Sequence, residues 1–218
     1  MKKKFKKRLK GDEFIAIVNK SIHFVQTHVK QFLYGIAGLA VIFLIFLGVK
    51  YIQSKNIKKE SLLLGNIIQV TEELQDNPEK LAELEELGGT GKFTRLAYIN
   101  AAVFSIEKSD FDKAMAFLEK IPESRKDIIY YQGQHLKARI YYIKKEYDKA
   151  LEVYQKIEEE DPADYALDAV LFNMAEIYED KGEIEQALMI YNKIKDDFPQ
   201  TFYGYEANQA VQKLEEKK

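Results

Sequence analysis

The chain has 218 residues, 31% of them charged and 46% hydrophobic, with a formal net charge of −2. That length suffices for one soluble domain of moderate size plus an appendage and excludes a second large core. The absence of cysteine excludes disulfides, thiol catalysis, iron–sulfur clusters and an acylated-cysteine anchor. Leu, Ala, Glu and Lys dominate while prolines number four and glycines eleven, so the composition predicts an all-α fold.

The charge is unevenly placed. Residues 1–59 hold thirteen Lys and Arg against Asp12 and Glu13, which leaves 20 basic and 33 acidic residues in 60–218. So acidic a carboxyl-terminal part repels a phosphate backbone, and nucleic acid is excluded as a partner.

The chain opens on Lys2, Lys3, Lys4, Lys6, Lys7, Arg8 and Lys10. Ile15, Val18, Ile22, Val25 and Val29 follow at three- and four-residue steps, which predicts a helix with one apolar face, lying along the cytoplasmic leaflet or serving as a docking surface for a membrane partner. From Phe32 through Val49 no side chain is charged, and Tyr51 and Ile52 extend the run past Lys50. About 20 such residues cross a hydrocarbon core of roughly 30 Å. The run is too long for a cleavable signal core and is followed by Lys50 and Lys55 rather than a small-residue cleavage site. More Lys and Arg precede the run than follow it, so the amino terminus is expected in the cytoplasm and the larger domain outside.

Residues 56–87 predict one long helix leaving the membrane and a short one after Asp76-Asn77-Pro78. Beyond them Asp112-Lys113-Ala114, Asp148-Lys149-Ala150 and Glu185-Gln186-Ala187 align, with alanines 36 and 37 residues apart. Each triplet follows a charged turn and opens a helix, so the unit is helix, turn, helix. The second and third units resemble the tetratricopeptide pattern. Ala138, Tyr141, Ala150, Tyr154, Ile157 and Pro162 stand at its spacing in one, and Leu171, Met174, Ala175, Tyr178, Ala187, Tyr191, Ile194 and Pro199 in the other. In the first unit, Phe93 to Ile121, Ala102 and Ala114 fit but Ser105 takes the place of an aromatic. Tyr203 to Lys217 predicts a cap helix with a polar outer side.

The expected organisation is a basic cytoplasmic segment with an amphipathic helix (1–31), a transmembrane helix (32–52), a linker helix and a short helix (53–92), and an α-solenoid of tetratricopeptide-like hairpins with a cap helix (93–218). First helices of stacked hairpins line a concave groove. By that register Asn100, Val103, Gln132, His135, Arg139, Tyr142, Phe172, Asn173 and Glu176 form its surface, a mixture of polar and aromatic groups suited to a peptide.

No chemistry is legible. Gly88-Gly89-Thr90-Gly91-Lys92 fails the phosphate-loop pattern, because Glu86 stands where a glycine is needed and Phe93 where Ser or Thr is. His23 and His28 precede the span while His135 follows it, so they do not assemble a metal site. Glu158-Glu159-Glu160-Asp161 lacks the alternating ligands of a calcium loop. The expectation is a binding protein with no catalytic residues, cofactor, metal or small-molecule substrate.

The whole arrangement resembles the bacterial family of ancillary subunits of the Sec translocon, which share a domain with cell-division coordinator proteins. The resemblance is carried by Asp12-Glu13-Phe14, the single span, the Gly-Thr loop before Phe93-Thr94-Arg95-Leu96-Ala97, the run Ser109-Asp110-Phe111-Asp112-Lys113-Ala114, and Leu136-Lys137-Ala138-Arg139 followed by Tyr147-Asp148-Lys149-Ala150-Leu151. It implies a periplasmic repeat domain on the inner membrane that binds translocon subunits, periplasmic chaperones or exported chains. Two alternatives stay open at this point, an organiser of envelope assembly or division and a cytosol-facing import-type receptor, and self-association is open in each.

Overall fold

A computed structural model describes residues 15–24 and 26–216. The Lys-rich start, Asp12-Glu13-Phe14, Val25 and Lys217, used above, lie outside the described residues. The chain divides into two compact units, Met1–Lys58 and Lys59–Lys218.

In the first unit residues 15–24 are helical and a turn stands at His28. The helix α1 (Val29–Glu73) then begins and continues past the boundary between the units. Isolated glycines and an absence of proline let it run for 45 residues, since only proline or clustered glycine interrupts such an apolar helix. Its apolar stretch is long enough to cross a membrane and none of that stretch is buried. Leu39, Ile42, Phe43, Leu44 and Phe46 are all exposed. Each such side chain loses about 1.5–3 kcal/mol by remaining in water rather than an apolar medium.

From Lys59 onward, α1 is followed by α2 (Lys80–Leu87), α3 (Arg95–Glu107), α4 (Phe111–Glu119), α5 (Ile128–Ile143), α6 (Tyr147–Glu160), α7 (Leu167–Asp180), α8 (Ile184–Asp197) and α9 (Phe202–Glu215). Among the described residues there is no strand. Pairs α3/α4, α5/α6 and α7/α8 are the three hairpins, and α9 packs on α8 and α7.

The three hairpin turns are the same structure. Ser109, Lys145 and Gly182 each adopt positive φ, of 60°, 59° and 77°. In each turn that residue donates its N–H to the carbonyl three residues back, and the next residue donates to the carbonyl five back: Ser109 to Ile106 and Asp110 to Ser105, Lys145 to Tyr142 and Glu146 to Tyr141, Gly182 to Glu179 and Glu183 to Tyr178. This Schellman pairing satisfies carbonyls that the ending helix leaves open. Only the third turn places glycine at the left-handed position. Local caps start other helices, with the Asp110 carboxylate accepting from Lys113 N–H and the Thr201 hydroxyl from Gly204 N–H. Gly204 has no room for a side chain, since a Cβ there would overlap the carbonyl oxygen of Phe198.

The alanines of the repeat, Ala102, Ala114, Ala138, Ala150, Ala175 and Ala187, are without exception fully buried. A larger side chain would separate helices that close-pack there. Ser105, in place of the aromatic, is also buried, and its hydroxyl donates to the Ala101 carbonyl at 2.8 Å. The core has two parts joined by α5, whose Ile129, Leu136 and Ile140 face the first hairpin while Tyr130, Tyr131 and Ala138 face the later ones. Ile67, Val70 and Leu74 of α1 and Leu81 and Leu84 of α2 are buried with the first hairpin. The stretch read from the sequence as a connection thus supplies the covering layer of the solenoid's first end. At the other end α9 buries Ala207, Val211 and Leu214, yet exposes Phe202 and Tyr205. Its outer side is aromatic at these two positions and polar beyond them, at Gln209, Gln212, Lys213 and Glu215.

Ion pairs repeat along the stack. Asp112 meets Lys144 at 3.7 Å and Asp148 meets Lys181 at 2.8 Å, each linking the start of a second helix to the next hairpin's turn. Both carboxylates are almost wholly exposed, so each pair contributes under about 1 kcal/mol and mainly marks register.

Candidate peptide-binding groove

Gln132, His135, Arg139 and Tyr142 recur at three- and four-residue steps and so share one face of α5. On α7, Phe172 and Asn173 lie four and three residues before Glu176 and so border the same face. Asn100 and Val103 of α3 stand at the end nearest α1, where the Asn100 amide donates to the Thr71 hydroxyl at 2.9 Å and Val103 packs against the first core. These two are engaged within the fold, whereas the α5 and α7 residues are brought together.

Their meeting ground is aromatic. His135 lies edge-on to Tyr154 and Tyr165, with ring centroids 5.3 and 6.4 Å apart. Phe172 packs on Tyr191 at 5.4 Å and on Tyr203 at 5.2 Å. The Tyr165 hydroxyl donates to Gln132 at 3.2 Å, and the Tyr142 hydroxyl donates to Asp180 at 2.7 Å, tying α5 to α7. The Asn173 amide returns to the Ala169 carbonyl at 2.6 Å.

Burial governs the electrostatics of this face. Desolvation, helped by the Arg139 charge, pushes His135 down to about 4, so the ring is neutral at physiological pH. Its Nδ1 is buried without a hydrogen-bond partner. Desolvation raises the Glu176 carboxyl, and the neighbouring charges of Asp180 and Glu179 add to the effect. Tyr165 is pushed up to about 12, chiefly by burial. Arg139 is exposed; among the described residues neither it nor Glu176 forms an ion pair. The face thus offers aromatic area, one free cation and one half-buried carboxyl.

Tyr165, Tyr203, Asp180 and the floor residue Tyr154 belong to this surface and were not assigned to it from the sequence. Tyr203 is the second residue of α9, a helix read from the sequence as a cap, so the register of the hairpins did not name it. Tyr165 lies in the loop before α7, where helical register says nothing.

Two surface hollows are lined by none of the nine groove residues. One of about 620 Å³ is bordered by Glu179, Glu183, Ile184 and Leu214, and one of about 330 Å³ by Asp127, Tyr131 and Pro162. The Gly-Thr loop is occupied structurally: a Cβ on Gly88 would strike the Tyr98 ring, and the Gly91 carbonyl accepts from Arg95 Nε at 3.1 Å.

Comparison with known proteins places this geometry. Residues 131–164 match one model described as a tetratricopeptide repeat, and residues 169–201 match another. No curated protein matches the chain. The first match covers nearly all of α5 and α6 and the second most of α7 and all of α8, the hairpins that carry seven of the nine groove residues. Residues 131–201 are thus tandem tetratricopeptide repeats, an architecture that suggests a protein-interaction scaffold.

Proposed function

We propose that the chain is a single-pass membrane protein whose repeat domain, on the extracytoplasmic face of a bacterial inner membrane, binds partner proteins or exported polypeptides near the Sec translocon. Residues 32–52 cross the bilayer in this reading, residues 1–31 stay in the cytoplasm, and the part from 53 onward lies outside. The excess of Lys and Arg before the span supports that direction.

The observation that carries the binding role is the α5–α7 face, which sets His135, Tyr142, Phe172 and Tyr165 beside Arg139 and Glu176, and among the described residues neither of these two charged groups forms an ion pair. An open surface of this kind suits an extended or helical polypeptide, with aromatics supplying area and polar groups fixing register. Gln132, His135, Tyr142, Phe172 and Asn173 complete the proposed surface. Anchoring raises the effective concentration of weak partners at the membrane, so the role needs neither catalysis nor a cofactor. The Sec assignment rests on the resemblance noted in the sequence.

Crosslinking in cells, then purification of the full-length protein in mild detergent and identification of what accompanies it, tests the proposal. Translocon subunits, exported chains or periplasmic chaperones are the expected companions. Division or envelope-assembly proteins without translocon components would replace the Sec assignment, and cytosolic chaperones would reverse the orientation.

A further inference from the structure

The helix at residues 15–24 carries more apolar surface than the single stripe read from its spacing. At about 100° per residue, Ile17 and Phe24 stand at one edge of the apolar sector and Val18, Ile22 and Ile15 at the other. Ser21, the polar residue between them, donates its hydroxyl to the Ile17 carbonyl at 2.9 Å, which removes its need for water. The apolar sector therefore covers about half the circumference. Asn19, Lys20 and His23 occupy the opposite half. Ile15, Ile17, Val18, Ile22 and Phe24 are all exposed, the first four by 57%, 64%, 37% and 49%.

We infer that this helix lies in the plane of an anionic lipid leaflet, with the half-cylinder from Ile17 and Phe24 to Ile15 in the acyl boundary and Lys20 toward the headgroups. Two observations select lipid over a protein partner. Residues 1–31 hold nine Lys and Arg against Asp12 and Glu13, and each basic residue close to an anionic surface adds to the attraction. The sector is also too wide for a coiled-coil seam, which needs a narrow stripe, and wide enough for an interfacial helix. The turn at His28 separates this helix from α1, and the Thr27 hydroxyl bonds to the His23 carbonyl just before it, an arrangement that bends helices. The inference uses the reading of α1 as a span only to place the segment at a membrane.

The chain has no cysteine, so one introduced thiol reports alone. The full-length protein, carrying I17C, V18C, I22C, N19C, H23C or I42C labelled with a small fluorophore, is reconstituted into phosphatidylcholine vesicles with or without phosphatidylglycerol and a lipid-borne quencher. In anionic vesicles, quenching at Ile17, Val18 and Ile22 is expected to exceed that at Asn19 and His23 at least threefold, and to fall by at least half in neutral vesicles. Equal quenching at all five positions, or labels at 17, 18 and 22 shielded from water yet not quenched by lipid, as under a protein partner, overturns the inference. The Ile42 label reads the span separately: if it alone escapes quenching, α1 does not cross and the interfacial helix stands.

Discussion

Arg95, fully buried at the start of α3, grips Asp127 at the start of α5 with both terminal nitrogens, at 2.9 Å to Oδ1 and 2.5 Å to Oδ2. The same carboxylate caps α5 by accepting from Ile129 and Tyr130 N–H, and the Arg95 side chain also donates to the Gly91 and Lys92 carbonyls. One pair thus fixes the angle between the first two hairpins and closes the Gly-Thr loop.

Removing Asp127 strands a buried guanidinium and uncaps α5. Asp127→Ala is expected to destabilise the repeat domain by about 3 kcal/mol, measured by denaturant unfolding followed by circular dichroism. The Arg95 hydrogen bonds, ahead of the cap N–H groups, hold the Asp127 carboxyl below its ordinary 3.8. A lowered folded-state value means that this stabilisation is complete above the ordinary carboxylate range and is lost as pH falls through the lowered value. Asp127→Asn, less stable at neutral pH, should therefore converge toward the unmodified protein in strong acid.

The turns predict gains. Ser109 and Lys145 hold the left-handed conformation that Gly182 occupies without cost. Lys145→Gly and Ser109→Gly are each expected to stabilise by about 0.5–1 kcal/mol, and Gly182→Ala to destabilise by about 1 kcal/mol. Thermal unfolding of the three variants checks the pattern, and a loss at both glycine substitutions would contradict it.

His135 predicts a separate pH response. Its folded-state value of about 4 lies below the ordinary 6.5, so the unfolded chain binds the extra proton and stability falls as pH drops from 6.5 toward 4. The full loss amounts to about 3 kcal/mol. His135→Phe should lose less stability across that window, as read from urea unfolding at pH 7, 5.5 and 4.

The fold was legible where spacing carries the physics. Alanines 36 and 37 residues apart announced the hairpin crossings, and the uncharged run from Phe32 to Val49 announced the long apolar helix. What the sequence did not reveal depends on distant partners. Ile67, Val70 and Leu74 sit on a helix that also carries exposed Ile57, Leu62 and Ile68, so their spacing alone could not show which face the first hairpin covers. Register named the α5 and α7 residues of the candidate groove, but Tyr165 comes from a loop and Tyr203 from a helix read as a cap. Asn100 was named for its place on α3, and its tie to Thr71 needs the end of α1 folded against it.

The central claim is that the α5–α7 face binds polypeptides outside the cytoplasm. Its most direct test is a photo-crosslinking residue installed in the full-length protein in cells at Arg139 or Asn173, and at exposed Lys156 on the second helix α6 as a control. Crosslinks to exported polypeptides or translocon subunits are expected from Arg139 and Asn173, and none from Lys156. Crosslinks from Lys156 alone, or to cytosolic proteins alone, would contradict it.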